Sequence, residues 1–212
     1  MALINSVLGR IRGKIGDVVF TQNKGRQIAK LYQPNVANPR TGQQQANRSR
    51  FVALLALGKL LRVVLPLGFK EYSGSLSWLN RFMSTNSSNG LLSWDEPTSS
   101  WLPAYQNLVI SEGSLYPTTI EVDTLVAADL TIKWNVEIFA NQAPDDELVI
   151  IAFVAGQTAM SIRQVIRSVG EATLSFDTAP ANGQVISVCG FFITSDGRIV
   201  SNSYAFNHTV VV

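Results

Sequence analysis

From Leu108 onward the apolar residues recur at every second position, in short runs set apart by turn-forming residues. In Leu130-Thr-Ile-Lys-Trp-Asn-Val136, the side chains of Leu130, Ile132, Trp134 and Val136 alternate with polar ones. Successive residues of a β-strand face opposite ways, so the pattern describes strands with one buried face and puts Trp134 inside. Runs at 108–111, 119–123, 130–136, 147–154, 159–167, 172–176, 184–194 and 199–206 fit this reading, separated by Gly113, Asn141 to Pro144, Gly156, Gly170, Asn182-Gly183 and Asp196-Gly197. Asp196-Gly197 between Phe192-Ile-Thr194 and Ile199-Val200 is a strong hairpin signal. Seven or eight short strands at such spacing predict an antiparallel β-sandwich of the immunoglobulin or fibronectin type III kind.

The N-terminal part follows another pattern. Asp17 to Thr21 and Arg26 to Tyr32 are β runs around the Gly25 turn, which predicts a hairpin that must dock on something, since two strands alone are marginal in water. Pro34 and Pro39 keep the next stretch extended, and Thr41 then stands as N-cap with Gln44 three residues on. A helix is expected from there to Val64, stopped by Pro66 and Gly68, and a shorter one over 76–85. The Ser- and Asn-rich stretch 84–103 reads as a long loop whose Trp94 and Trp101 pin it to a core or interface. The expected class is α+β: a basic hairpin-and-helix region over 1–103, followed by a sandwich over 104–212.

Charge is sorted along the chain in the same sense. Residues 1–70 hold twelve of the seventeen bases and a single acid, Asp17, for a net +11. Residues 71–212 hold the other five bases and fourteen acids, for a net −9. Such asymmetry points to a polyanionic partner or to self-assembly rather than to a reaction. The candidate contact residues are Arg10, Arg12, Lys14, Lys24, Arg26, Arg40, Arg48 and Arg50. Arg48 and Arg50 sit in the early turns of a helix, where they oppose its dipole by a few tenths of a kcal/mol each. Either an anionic contact or pairing with acids of the same chain accounts for them.

Chemistry finds little support. His208 is the lone histidine, and a triad or zinc site needs more partners than that. Cys189 lies in an apolar strand and reads as a core filler, while Asp145-Asp146-Glu147 reads as a solvated turn without calcium-loop spacing. Gly9-x-x-x-Gly13-x-x-Gly16 matches neither a Walker loop nor a dinucleotide fingerprint, because Asp17 and a strand follow Gly16. No cofactor, metal or small-molecule substrate is expected. Neither is a membrane span, because the longest apolar run, Phe51 to Leu57, is far too short. No secretory signal is evident in Met1 to Leu8.

Gly13-Lys-Ile-Gly-Asp-Val-Val-Phe20, Lys24-Gly-Arg-Gln-Ile28, Asn38-Pro-Arg-Thr-Gly-Gln-Gln-Gln-Ala-Asn-Arg48 through Phe51, and Gly68-Phe-Lys70 resemble an uncharacterised family of Bacteroidota proteins, with related N-terminal patterns in phage and prophage proteins. Phe192 to Tyr204 is similar to that family's last hairpin. The resemblance brings no catalytic residue. It implies a phage-like, virion-structural setting, with the chain in the virion or in the host cytoplasm during assembly. The expected function is therefore a non-enzymatic structural protein that homo-oligomerises, and contacts other virion proteins, through its basic N-terminal region. The alternatives are a nucleic-acid-binding accessory protein using the same arm and an adhesive or receptor-binding sandwich.

Overall fold

The structure, a computed structural model, describes residues 2–3, 11–23, 25–35, 40–71, 76–154 and 160–211. Arg10, Lys24, Gly156 and the stretch from Val36 to Pro39 lie outside the described residues. The chain forms two compact units, Met1–Gln44 and Gln45–Val212, whereas the division drawn from the sequence falls after residue 103.

In the first unit the expected hairpin is the centre of a larger sheet. Strands β1 (Ala2–Leu3), β2 (Gly13–Ile15), β3 (Val18–Asn23) and β4 (Arg26–Leu31) lie in the order β1-β4-β3-β2, every pair antiparallel. Both tight turns need a residue in the left-handed region. Gly16 (φ 57°) and Gly25 (φ 79°) supply it where a side chain would be strained. Among the described residues of this unit none has a buried side chain.

Helix α1 (Gly42–Leu60) starts where Thr41 Oγ1 accepts from the Gln44 N–H at 3.3 Å, as the N-cap pattern predicts. Pro66 does not end the helical region, contrary to expectation. It lies in the first turn of α2 (Leu65–Gly68), where its missing N–H has no intrahelical partner to lose. Helix α3 (Trp78–Asn86) is capped by Ser77, whose hydroxyl accepts from the Asn80 N–H at 3.2 Å. The stretch expected as a long loop contains a hairpin, β5 (Leu92–Asp95) and β6 (Ser100–Pro103), with Trp94 opposite Trp101. Trp101 pins it, since Nε1 donates to Ser49 Oγ at 2.9 Å and the ring packs on the core. Trp94 meets it edge-on and remains exposed.

Two antiparallel sheets follow. β7 (Ile120–Val126), β8 (Asp129–Trp134) and β11 (Glu171–Ser175) form one, in the order β11-β8-β7. β9 (Glu147–Val154), β10 (Met160–Ile166), β12 (Val185–Ile193) and β13 (Tyr204–Thr209) form the other, in the order β10-β9-β12-β13. Leu130, Ile132 and Trp134 of the first sheet share a core with Leu148, Ile150, Ile186, Val188 and Phe192 of the second. The opposite face of the second sheet, carrying Val149, Ile151, Phe153, Phe191 and Ile193, shares a second core with Leu57, Leu61, Leu65, Phe69 and Phe82 of the helical region. Three layers result, and β9 and β12 are apolar nearly without interruption because both their faces are covered.

Residues 108–111 are not a strand, although their alternation predicts one. The Val109 backbone groups and the Ile110 N–H pair with side chains instead. Asn86 donates Nδ2 to the Val109 carbonyl at 2.7 Å and accepts the Val109 N–H on Oδ1 at 3.0 Å, while Ser203 Oγ accepts the Ile110 N–H at 3.1 Å. A buried amide on a helix thus stands in for a neighbouring strand.

Candidate interaction surface

Register divides the N-terminal sheet into two unlike faces. Ile15, Val18 and Leu31 are cross-strand partners, as are Phe20 and Ala29, so one face is mainly apolar, with the Gln22–Gln27 pair at its end. Ile15 is 62% and Leu31 73% exposed. Lys14 lies opposite Val19, and Val19 opposite Lys30; Arg26 and Lys30 are an even number of residues apart along β4, so the other face gathers three bases and no acid. The Lys14 ammonium sits 3.5 Å from the centre of the Tyr32 ring, a cation–π contact of about 0.5–1 kcal/mol at an exposed site.

The predicted contact residues are thereby separated. Lys14 and Arg26 share this face, and Arg12 is exposed just before β2. Arg40 precedes α1 and Arg48 lies on it, both exposed. Arg50 is engaged inside the Gln45–Val212 unit, where a guanidinium N–H donates to the Ser87 carbonyl at 2.5 Å and the group lies 5.9 Å from the Trp101 ring centre. Lys30 was not singled out from the sequence, although its even spacing from Arg26 along an alternating run was the signal that marks it.

A surface of opposite sign lies on the outer face of β11-β8-β7. Buried Leu130, Ile132 and Trp134 point inward, so Asp129, Thr131 and Lys133 point outward. Lys133 is flanked across the strands by Glu121 and Glu171 and bonds Asp123 at 2.9 Å. Asp123, by hydrogen bond and charge, holds the Lys133 ammonium above its ordinary pKa, and Glu171 and Glu121 act in the same sense. Glu121, Asp123, Asp129 and Glu171 face one base, leaving the sheet face acidic. The ion pairs Arg81–Glu112, Lys133–Asp123, Arg167–Asp146 and Arg198–Asp196 draw both partners from residues 81–198, so none of the four uses a base from the cationic first 70 residues.

One acid departs from its surface reading, and another is held by backbone groups. Asp146, expected in a solvated turn, is fully buried against Arg167 at 3.4 Å. Desolvation lowers the Arg167 pKa, and the Asp146 charge opposes that shift. Glu71 accepts backbone N–H groups from Ser114 at 3.1 Å and Val200 at 3.3 Å. Cys189 is buried, its thiol pushed well above the ordinary range by desolvation. His208 pairs with Ile186 within the sheet. Among the described residues no group of three His, Cys, Asp or Glu could hold a metal, and no helix is long and apolar enough to cross a membrane.

Comparison with solved structures finds a computationally redesigned β-sandwich protein, 12% identical over 46% of this chain and 92% of that one, with a TM-score of 0.36. A structure described as a myokine is also 12% identical, covering 48% of this chain and 100% of that one, with a TM-score of 0.35. No curated protein matches the chain. The model of a family described as "Family of unknown function (DUF6266)" matches residues 10–206, and the chain belongs to that family.

Proposed function

We propose that this chain is a non-enzymatic structural protein that self-associates through its basic N-terminal sheet, and that its C-terminal part is a fibronectin type III-like module. One observation carries the first reading. The N-terminal sheet has no buried side chain among its described residues and keeps Ile15 and Leu31 62% and 73% exposed. Covering an aliphatic side chain of that size is worth about 1.5–3 kcal/mol, so a sheet with two of them this exposed is stabilised by docking on another body. The strand order supports the second reading. The first, second and fifth sandwich strands form one sheet, and the fourth, third, sixth and seventh the other, a three-plus-four division that favours a fibronectin type III-like sandwich.

The setting that fits is a repetitive assembly, a phage virion above all, in keeping with the Bacteroidota and phage resemblance of the N-terminal motifs; the chain then resides in the virion, and in the host cytoplasm during assembly. Size-exclusion chromatography with light scattering tests self-association. A mass of two or more chains is expected, and a single-chain mass at high protein concentration and low salt overturns the reading. The cationic face with Tyr32 beside Lys14 also favours nucleic acid as a second reading. Filter binding across a salt series then gives a steep negative slope of log affinity against log salt.

A further inference from the structure

Two sheet faces of opposite sign are exposed on this chain, and their charges share a spacing. Lys14 and Lys30 lie on either side of Val19, two strand spacings apart, or about 10 Å. Glu121 and Glu171 lie on either side of Lys133, again two strand spacings or about 10 Å apart. Arg26 adds a third base to the first face, and Asp123 and Asp129 add acid to the second. Against Glu121, Asp123, Asp129 and Glu171 the single base, Lys133, leaves the face strongly negative.

We infer that, in the assembly, the Lys14–Arg26–Lys30 face of one copy docks on the Glu121–Asp129–Glu171 face of a second copy. This deepens the self-association reading and rests on it. Lys14 and Lys30 meet Glu171 and Glu121, while the half-buried Val19 between the lysines covers the aliphatic stem of Lys133. Exposed charge pairs contribute little affinity one by one; what they set is partner choice, register and on-rate. Because two different faces meet, the contact is head-to-tail, and its repetition closes a ring or extends a filament.

Charge reversal tests the pairing with the full chain. E121K/E171K is one variant and K14E/K30E the other; all four positions are exposed, so circular dichroism should show both folded. Each variant alone is expected to self-associate at least tenfold more weakly than the native chain, because like charges then face each other. Mixing the two restores association, since every reversed face finds one of opposite sign. If the native chain forms oligomers whose mass neither variant changes, this interface is wrong while self-association stands. If the native chain is monomeric, the self-association reading fails first. If K14E/K30E abolishes DNA binding while both variants keep the native oligomer, the basic face serves nucleic acid and the pairing is overturned.

Discussion

Arg167 and Asp146 form an ion pair 3.4 Å apart with neither side chain exposed to solvent. The guanidinium also lies 3.8 Å from the centre of the Phe192 ring and donates to Thr118 Oγ1 at 2.7 Å. Asp146 Oδ2 accepts the Ala143 N–H at 2.8 Å, and the Arg167 carbonyl accepts Trp134 Nε1 at 2.8 Å. The pair therefore ties the 143–146 turn, the end of β10 and the core tryptophan together.

Removing one partner of such a pair strands the other charge in the interior. Asp146→Ala is expected to cost about 3–5 kcal/mol. For a chain of this size that lowers the melting temperature by roughly 6–20 °C. The double variant D146A/R167M should recover most of the loss, because a well-packed apolar pair replaces the stranded cation. Thermal unfolding followed by tryptophan fluorescence reads both.

Asn86 is the second buried polar device. Its amide makes two hydrogen bonds to Val109 and one, at 3.1 Å, to the Phe82 carbonyl. Asn86→Ala leaves the half-buried Val109 groups unpaired and should cost about 1–3 kcal/mol. Asn86→Asp should fail nearly as badly, since a carboxylate cannot donate to the Val109 carbonyl. Denaturant midpoints of the two variants decide the matter.

Acid should loosen the contact that Glu71 makes. Burial raises its pKa, but hydrogen bonds from the Ser114 hydroxyl and backbone and from the Val200 N–H outweigh it, and the net shift is below the ordinary 4.5. A carboxyl with a depressed folded pKa adds stability above its unfolded pKa and loses it as pH falls through the folded value. Stability should therefore drop as the pH is taken below about 4.5, and Glu71→Gln should flatten that drop while lowering stability at neutral pH. Urea midpoints measured on both sides of that pH supply the check.

The sandwich should not survive excision at the boundary read from the sequence. A 104–212 fragment bares Val149, Ile151, Phe153, Phe191 and Ile193, which share a core with the helical region. It is expected to aggregate, whereas a 45–212 fragment keeps that core and should unfold cooperatively. Expression of both and gel filtration distinguish them.

The sandwich strands were legible because half-buried antiparallel strands alternate, and Trp134 was placed inside on that ground alone. Uninterrupted runs such as Leu148 to Val154 hid the third layer, since periodicity cannot show what covers a strand's second face. Residues 108–111 were misread for a different reason. Asn86 mimics a strand partner from 23 positions away, and alternation does not distinguish the two. The charge of Asp146 suggested solvent, and only its distant partner Arg167 makes burial tolerable. Of the candidate surface, the cationic stretch showed in the charge count, but the two-faced geometry of its sheet and the acidic sheet face appear only once register is known.

The double covering of β9 and β12 also sets an order of events during synthesis. Leu57, Leu61 and Phe82 leave the ribosome long before Val149 and Phe191, the strand residues with which they share a core. Until β9 and then β12 emerge, the nascent helices lack the sheet face they pack on, and a stalled or truncated chain presents them bare to chaperones and to other unfinished copies. The late, greasy centre of this protein is thus what commits the early helices to their final place.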